Sequence, residues 1–382
     1  MWGQEEVLSA TMELAADNAV ILSNKGIIPN NNSAHFYSSV LQAHWTRCQT
    51  EGCYFVCQET MRTKNLFEAY PRMYKTIFMK SNMSMMLITK DYAELSKTFS
   101  FVAKVLNHVG ILKKNLLIIC SDDVYNCYFK SSAYEDEVVP ITVKKTFNAP
   151  GITGEYIKLI YKYNGCLVPI AEITFAQKDD GLYYSDTCMN ADILSFILSG
   201  LENKYHLKSY AVYNNLVKKL DVCKEDHYEI CELLIAINKC LSEGIMFSSR
   251  GRGFILKEML KKLYCIAPKK IDLDMWKIML QYNEIDNING ICEKIESIYN
   301  REGDILEKTM PLLRNPVYDS SYLNLYGVSE RIFELLVLKN SLKAKYDAKA
   351  KDLFRLENVD ELCNQDLHHI IRTWASKVSV KP

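Results

Sequence analysis

The stretch "NLLIICSDDVYNCYF" sets two acids, Asp122 and Asp123, directly after the apolar run Leu116–Cys120. That run is long enough for a buried strand. A third acid, Glu172, stands among apolar neighbours in "CLVPIAEITF". Carboxylates on neighbouring strands can hold paired Mg²⁺ ions, one activating an attacking oxygen and the other steadying a phosphate leaving group. Asp122, Asp123 and Glu172 are therefore the candidate catalytic and Mg²⁺-binding set; the competing reading is that "SDD" is a turn in which Ser and Asp cap the local backbone, with Glu172 on the solvent face of a hairpin. Upstream, "IFMKSNMSMML" reads as a strand entering a helix, with Lys80, Ser81 and Asn82 at a turn that meets a nucleotide phosphate. Adjacent residues of a regular strand face opposite ways, so Asp122 and Asp123 share an ion only if a bulge re-aims one of them. The alternate positions hold Val124 and Tyr125 instead of acids, which leaves Glu135, Asp136 or Glu137 to complete the set.

Two other patterns carry chemistry. "HWTRCQTEGCYFVC" spaces His44, Cys48, Cys53 and Cys57 as H-x₃-C-x₄-C-x₃-C, and two such pairs around a turn can close a tetrahedral Zn²⁺ site. The competing reading, favoured in a chain with 13 Cys, is that these thiols are small core residues. "SSRGRGFILKEMLKKL" places Arg250 and Arg252 among glycines ahead of a helix. Free amides and the helix dipole there suit a phosphate or RNA, aided by Lys257, Lys261 and Lys262; the alternative is a solvated basic face. His368 and His369 are adjacent on a helix-like stretch and diverge by ~100°, so they are not a ligand pair. No Walker-type loop or dinucleotide fingerprint is present.

Elements must position these groups. Helices are expected over 4–24, 34–48 and 92–109. The last has capping-box spacing at Asp91 and Glu94, with Gly110 past its end. Strands are expected at 116–120 and 138–147, the latter on an edge because of Pro140. The clearest element is a hairpin, 155–163 and 166–175, around Asn164-Gly165, a dipeptide that accepts a two-residue type I′ turn. Beyond 200 the helical period dominates, as in the stripe Ile230, Leu233, Leu234, Ile237 and Leu241. The longest helix is expected at 329–355, capped by Ser329. The fold class is α+β: a small mixed sheet with flanking helices in the N-terminal part, followed by an α-helical C-terminal part. The expected division is a helical segment over 1–60, an α+β core over 61–200 and a helical domain over 201–382.

Lys+Arg and Asp+Glu both number 46, so nucleic acid is bound only through a local patch. The acidic N-terminus lacks a signal-peptide pattern, and no apolar run reaches the ~18 residues of a membrane span. Reduced thiols in the cytoplasm or nucleus, and no membrane partner, are expected. Usage leans to Lys, Asn, Ile and Tyr with only 15 Gly and 9 Pro among 382 residues, as AT-rich coding in many large DNA viruses and some protists produces.

The order of turn at 80–82, helix, acid-bearing strand and hairpin strand with Glu172 resembles the nucleotidyltransferase fold, as in poly(A) polymerase-like proteins of large DNA viruses. The likeness covers residues 75–175. It implies ATP and Mg²⁺ chemistry on RNA ends, with Asp122, Asp123 and Glu172 on the metals and Lys80, Ser81 and Asn82 on the nucleotide. Ser81-Asn82 stands where that family has glycines, and the acid pair lacks its alternate spacing. The expectation is a degenerate, non-catalytic relative serving as a subunit or scaffold of a viral-type assembly. Its helical half would hold protein partners, with RNA or a nucleotide as a second ligand. The alternative is an active Mg²⁺-dependent enzyme.

Overall fold

The computed structural model describes residues 2–29, 36–37, 40–44, 50–63, 66, 77–124, 126, 139–142, 146–149, 152–164, 166–222, 224–267 and 271–309. The protein is α+β, and its sheet is larger than expected. Among the described residues nine strands form one sheet. They are β1 (Val20–Ile21), β2 (Gly52–Met61), β3 (Phe78–Thr89), β4 (Leu116–Cys120), β5 (Val139–Thr142), β6 (Thr146–Ala149), β7 (Ile152–Tyr163), β8 (Cys166–Lys178) and β9 (Tyr183–Asn190). Their order is β1-β2-β3-β9-β8-β7-β4-β5, with β6 paired to β7. Neighbours run antiparallel except β1–β2 and β4–β5.

The β7–β8 hairpin is the expected one, with both strands lengthened at its open end, and Asn164 has the positive φ of 48° that a primed turn requires. The expected strand over 138–147 is instead two, β5 and β6, and Pro140 lies on β5 at the sheet edge. A more consequential correction concerns residues 80–82. They form no turn, because β3 runs through them unbroken.

The helices are α1 (Gln4–Ala16), α2 (Val40–His44), α3 (Ser96–His108), α4 (Asp122–Val124), α5 (Ala191–Leu198), α6 (Ala211–Val217), α7 (Lys224–Ser242), α8 (Gly251–Ile266), α9 (Leu273–Tyr282) and α10 (Ile288–Thr309). The first stops at Ala16, well short of 24, and β1 follows. A 3₁₀ turn over Tyr92–Leu95 precedes α3. Asp91 caps it by accepting from Ala93 N, whereas Glu94 bonds Thr89 and Lys97 rather than closing a capping box. The helix expected at 329–355 and the His368-His369 pair lie outside the described residues.

Period-two alternation sorts the strand residues into two faces. Met83, Met85 and Leu87 of β3 and Ile173 and Phe175 of β8 join Val102 of α3, Leu194 of α5 and Leu233 of α7 in one buried cluster. That cluster continues into Leu256 of α8, Trp276 of α9 and Ile295 of α10, so the C-terminal helices pack on the sheet's first face. The second face carries a smaller cluster, with Val40 of α2, Val56, Met86, Ile88, Ala176 and Tyr184.

Ion pairs are buried where the helices meet the sheet. Lys204 Nζ lies 2.8 Å from Glu232 Oε1, with both side chains 4% exposed. Lys262 is fully buried; it pairs with Glu229 and donates to Leu66 O at 2.5 Å. Removing one partner of such a pair costs about 3–5 kcal/mol, because the other loses its compensation in a dry site. We expect Lys262→Met to lose about that much in urea unfolding, and Lys262→Met with Glu229→Leu to recover much of it. An unchanged midpoint in the single variant would contradict the burial of this pair.

Candidate functional site

The three acids expected to hold Mg²⁺ are not brought together. Asp122 and Asp123 are exposed on α4, a single helical turn leaving β4. Ser121 caps that turn: its Oγ accepts from Val124 N at 3.4 Å and donates to Glu155 Oε2 at 2.5 Å. Glu172 lies on β8 and is held 2.8 Å from Lys158, its cross-strand neighbour. The register Ile119–Lys158–Glu172 places the whole of β7 between the acids, a separation of roughly 10 Å at two strand spacings. Among the described residues no three His, Cys, Asp or Glu side chains are grouped to hold a metal ion. Glu135, Asp136 and Glu137 lie outside the described residues.

The phosphate-binding turn is likewise replaced. Lys80 is exposed, Ser81 is buried and accepts from Gln4 Nε2 of α1 at 2.5 Å, and Asn82 is buried within β3. The zinc set divides across β2. His44 Nε2 meets Gln58 Oε1 at 2.8 Å. Cys57, adjacent to Gln58, points to the other face and packs with Cys53 against the main core. Burial pushes the Cys57 thiol up to about 12, as an apolar setting requires. Cys48 lies outside the described residues.

Arg250 is exposed at the start of α8 and Arg252 is half-buried one residue beyond Gly251. The neighbouring Gly253 has a packing reason: a Cβ there would sit 2.2 Å from Met246 O. Neither the phosphate-binding role given to Lys261 and Lys262 nor the alternative of a solvated basic face on α8 describes these two lysines, which are paired with acids. Lys261 lies 2.9 Å from Glu258 and 3.8 Å from Glu302, and Lys262 is buried.

A different constellation occupies the second face of the sheet; it gathers the sequence candidates Glu172 and Asn82 with Asp186, Cys188 and Tyr156, which the sequence reading missed. Tyr156, Thr174 and Asp186 are in register across β7, β8 and β9, and Lys158, Glu172 and Cys188 form the next row. On β3, Ser84 donates to Asp186 Oδ1, and Asn82 Oδ1 accepts from Cys188 Sγ at 2.9 Å. Arg62 follows β2 directly, and its charge acts on both Tyr156 and Cys188. Asn82, Ser84 and Thr174 are buried, whereas Arg62, Tyr156, Lys158, Glu172, Asp186 and Cys188 are half-buried.

The electrostatics follow from this recessed position. Asp186 keeps some solvent access, yet the protein around it removes much of its hydration. That loss pushes its pKa up to about 7, opposed by the Ser84 hydrogen bond and reinforced by the Glu172 charge. Burial raises Cys188 to about 11 and Tyr156 to about 12. The face thus holds two carboxylates, two cations and neutral hydroxyl and amide groups. The available signal was "YSDTCMN", where Asp186 and Cys188 alternate, but Ser185 and Thr187 between them hide the apolar half of the pattern.

No family model matches the chain, and no curated protein does. Among solved structures, a threonyl-tRNA synthetase from Aeropyrum pernix is similar over 56% of this chain and 68% of that one. Its TM-score is 0.34 and its sequence identity 9%, a likeness too slight to bear on activity. Among the described residues no helix is long and apolar enough to cross a membrane.

A titration follows from Asp186. Folded, it holds its proton up to about pH 7; its ordinary value is 3.8. Its stabilising contribution is therefore full below the unfolded pKa and is lost as pH rises through the folded one. Asp186→Asn keeps an acceptor for Ser84 but cannot ionise. We expect the melting temperature of the native protein, relative to this variant, to fall between about pH 4 and 7 and to level off above that. A difference independent of pH would show that Asp186 titrates normally.

Proposed function

We propose that this chain is a non-catalytic subunit or scaffold of a larger assembly, of the viral type that its residue usage suggests. Protein partners would be held through the helical half. The observation that carries this reading is the dispersal of the acids. Glu172 is tied to Lys158, and β7 separates it from Asp122 and Asp123, so the three cannot flank one pair of ions. The nucleotidyltransferase likeness then rests on element order, with α3, β4 and the β7–β8 hairpin in sequence, and not on a working centre. The exposed Arg250 ahead of α8 supports a local contact with the phosphate of RNA or a nucleotide.

Incubation of the full chain with a labelled RNA oligonucleotide, each NTP, and Mg²⁺ or Mn²⁺ tests this directly. No extension is expected. Asp122→Ala with Asp123→Ala should change stability by no more than about 0.5 kcal/mol, as at other exposed sites. Glu172→Ala should cost about 0–1 kcal/mol for its half-exposed pair. Extension that disappears in the double alanine variant would instead establish an active metal-dependent enzyme.

A further inference from the structure

We infer that the outer face of α8 binds a single nucleic-acid strand, with a base stacked on Phe254 and flanking phosphates against Arg250 and Lys257. The inference rests on the phosphate contact at Arg250 proposed above and extends it from an anion to a strand. Arg250, Phe254 and Lys257 follow at steps of four and three residues, so they share one side of the helix. A hydrogen bond from Phe254 N to Arg250 O, 3.3 Å long, spans the first step. From Arg250 to Lys257 the stripe runs roughly 10 Å at 1.5 Å per residue. Arg250 is exposed, Phe254 is 43% exposed and Lys257 is half-buried. The residues that hold α8 in the core are Leu256, Met259, Leu260 and Leu263, and Phe254 stands outside that cluster. The preceding loop shapes the same spot. A Cβ on Gly253 would sit 2.2 Å from Met246 O and 2.4 Å from Ser248 Oγ, so the loop rests directly on the first turn of α8. Ser248 Oγ donates to Arg250 O at 2.7 Å, which fixes the backbone from which Arg250 projects.

Charge complementarity names the occupant. A face that alternates cation, aromatic ring and cation matches a strand that alternates phosphate, base and phosphate. The nearby acids do not oppose this, because Glu258 and Glu302 are buried and turned to Lys261, at 2.9 and 3.8 Å. The second of these contacts also brings α10 against α8, with Arg301 exposed beside Glu302. The Lys257 pKa is lowered, by burial first and then by the charges of Lys261 and Arg301. The chain as a whole balances 46 cationic against 46 anionic residues, so a local patch of this kind is its route to nucleic acid. A duplex keeps its bases stacked inside and leaves Phe254 without a partner. A lipid surface is a poorer match, because its binding grows with the apolar area buried. This spot offers two exposed apolar side chains, Met246 and Phe254.

Titration calorimetry on the full chain tests the inference. The probes are oligouridylate and oligothymidylate about ten nucleotides long, a duplex of equal length, inorganic polyphosphate, and phosphatidylserine vesicles. At least one single strand should bind saturably, about fivefold or more tighter than the duplex. Phe254→Ala should weaken it about tenfold, as loss of one stacked base does, and leave the salt dependence unchanged. Arg250→Gln should weaken it too, and should lower the slope of log affinity against log salt by about 0.7, the share of one phosphate contact. Lys277→Ala, on the exposed surface of α9, should change neither. Alanine is a good helix former, so the Phe254 variant keeps its fold, which circular dichroism melts check. Polyphosphate binding that Arg250→Gln weakens and Phe254→Ala spares, with no preference for the strands, would overturn the strand and leave the phosphate contact standing. Saturation by no probe would end both readings. Equal affinity for strand and duplex, vesicle binding in place of strand binding, or strand binding that both variants leave unchanged would also overturn the inference.

Discussion

The cross-strand register of β3, β9, β8 and β7 decides which side chains this protein hides and which it presents. A slip of one residue in any of these strands would exchange its two faces. The pairs Met86–Asp186, Thr174–Asp186 and Tyr156–Thr174 fix one row across all four. Several bonds hold that register from within. Thr98 of α3 meets Ser185 at 2.6 Å, and Met85 N donates to Thr187 Oγ1 at 2.8 Å, both on or beside the covered face. Hydroxyls on β9 therefore find partners inside the core, while the alternate residues Asp186 and Cys188 turn to the other side.

The end of β9 connects the two halves. Asn190 caps α5 by accepting from Asp192 N at 2.9 Å and Ile193 N at 3.3 Å. This sharp entry carries Asp192 into the interior, where Tyr210 donates to it at 2.5 Å. Burial raises the pKa of Asp192 and of Glu232, and the Lys204 ammonium opposes both shifts. Buried pairs of this kind add little net stability, because desolvation offsets their attraction. Their effect is on placement: α7, which carries Glu232, can dock on the sheet in few ways that leave Lys204 and Glu232 matched. Lys262 with Glu229 imposes the same condition on α8.

What could be read from the sequence was local. The hairpin announced itself through Asn164-Gly165, β4 through an unbroken apolar run, α3 through Asp91 and Gly110, and α7 through its apolar stripe. These signals lie within a few residues of the structure they specify. The errors lie where the deciding partner is remote. Ser81 and Asn82 favour turns in isolation, yet Asn82 receives its bond from Cys188, 106 positions away. Asp186 is defined by Ser84, 102 positions away. The zinc pattern assumed a compact turn around Thr50–Gly52, whereas β2 begins at Gly52 and its alternation sends Cys57 and Gln58 to opposite faces.

The same alternation accounts for the acids that first drew attention. "SDD" after β4 is how a chain leaves a buried strand. Cys120 is the last residue of the strand, the buried Ser121 satisfies the backbone of the next turn, Asp122 and Asp123 reach water, and Val124 returns to the core. The carboxylates that do share a surface are Glu172 and Asp186, on neighbouring strands. Glu172 is paired with Lys158, and the Arg62 charge acts on Cys188 of the same row. Paired Mg²⁺ ions bring four positive charges and need a ligand set of net negative charge to offset them. A face with two carboxylates and two cations opposes such a load. That composition follows from where β7, β8 and β9 place alternate residues, not from any contiguous motif.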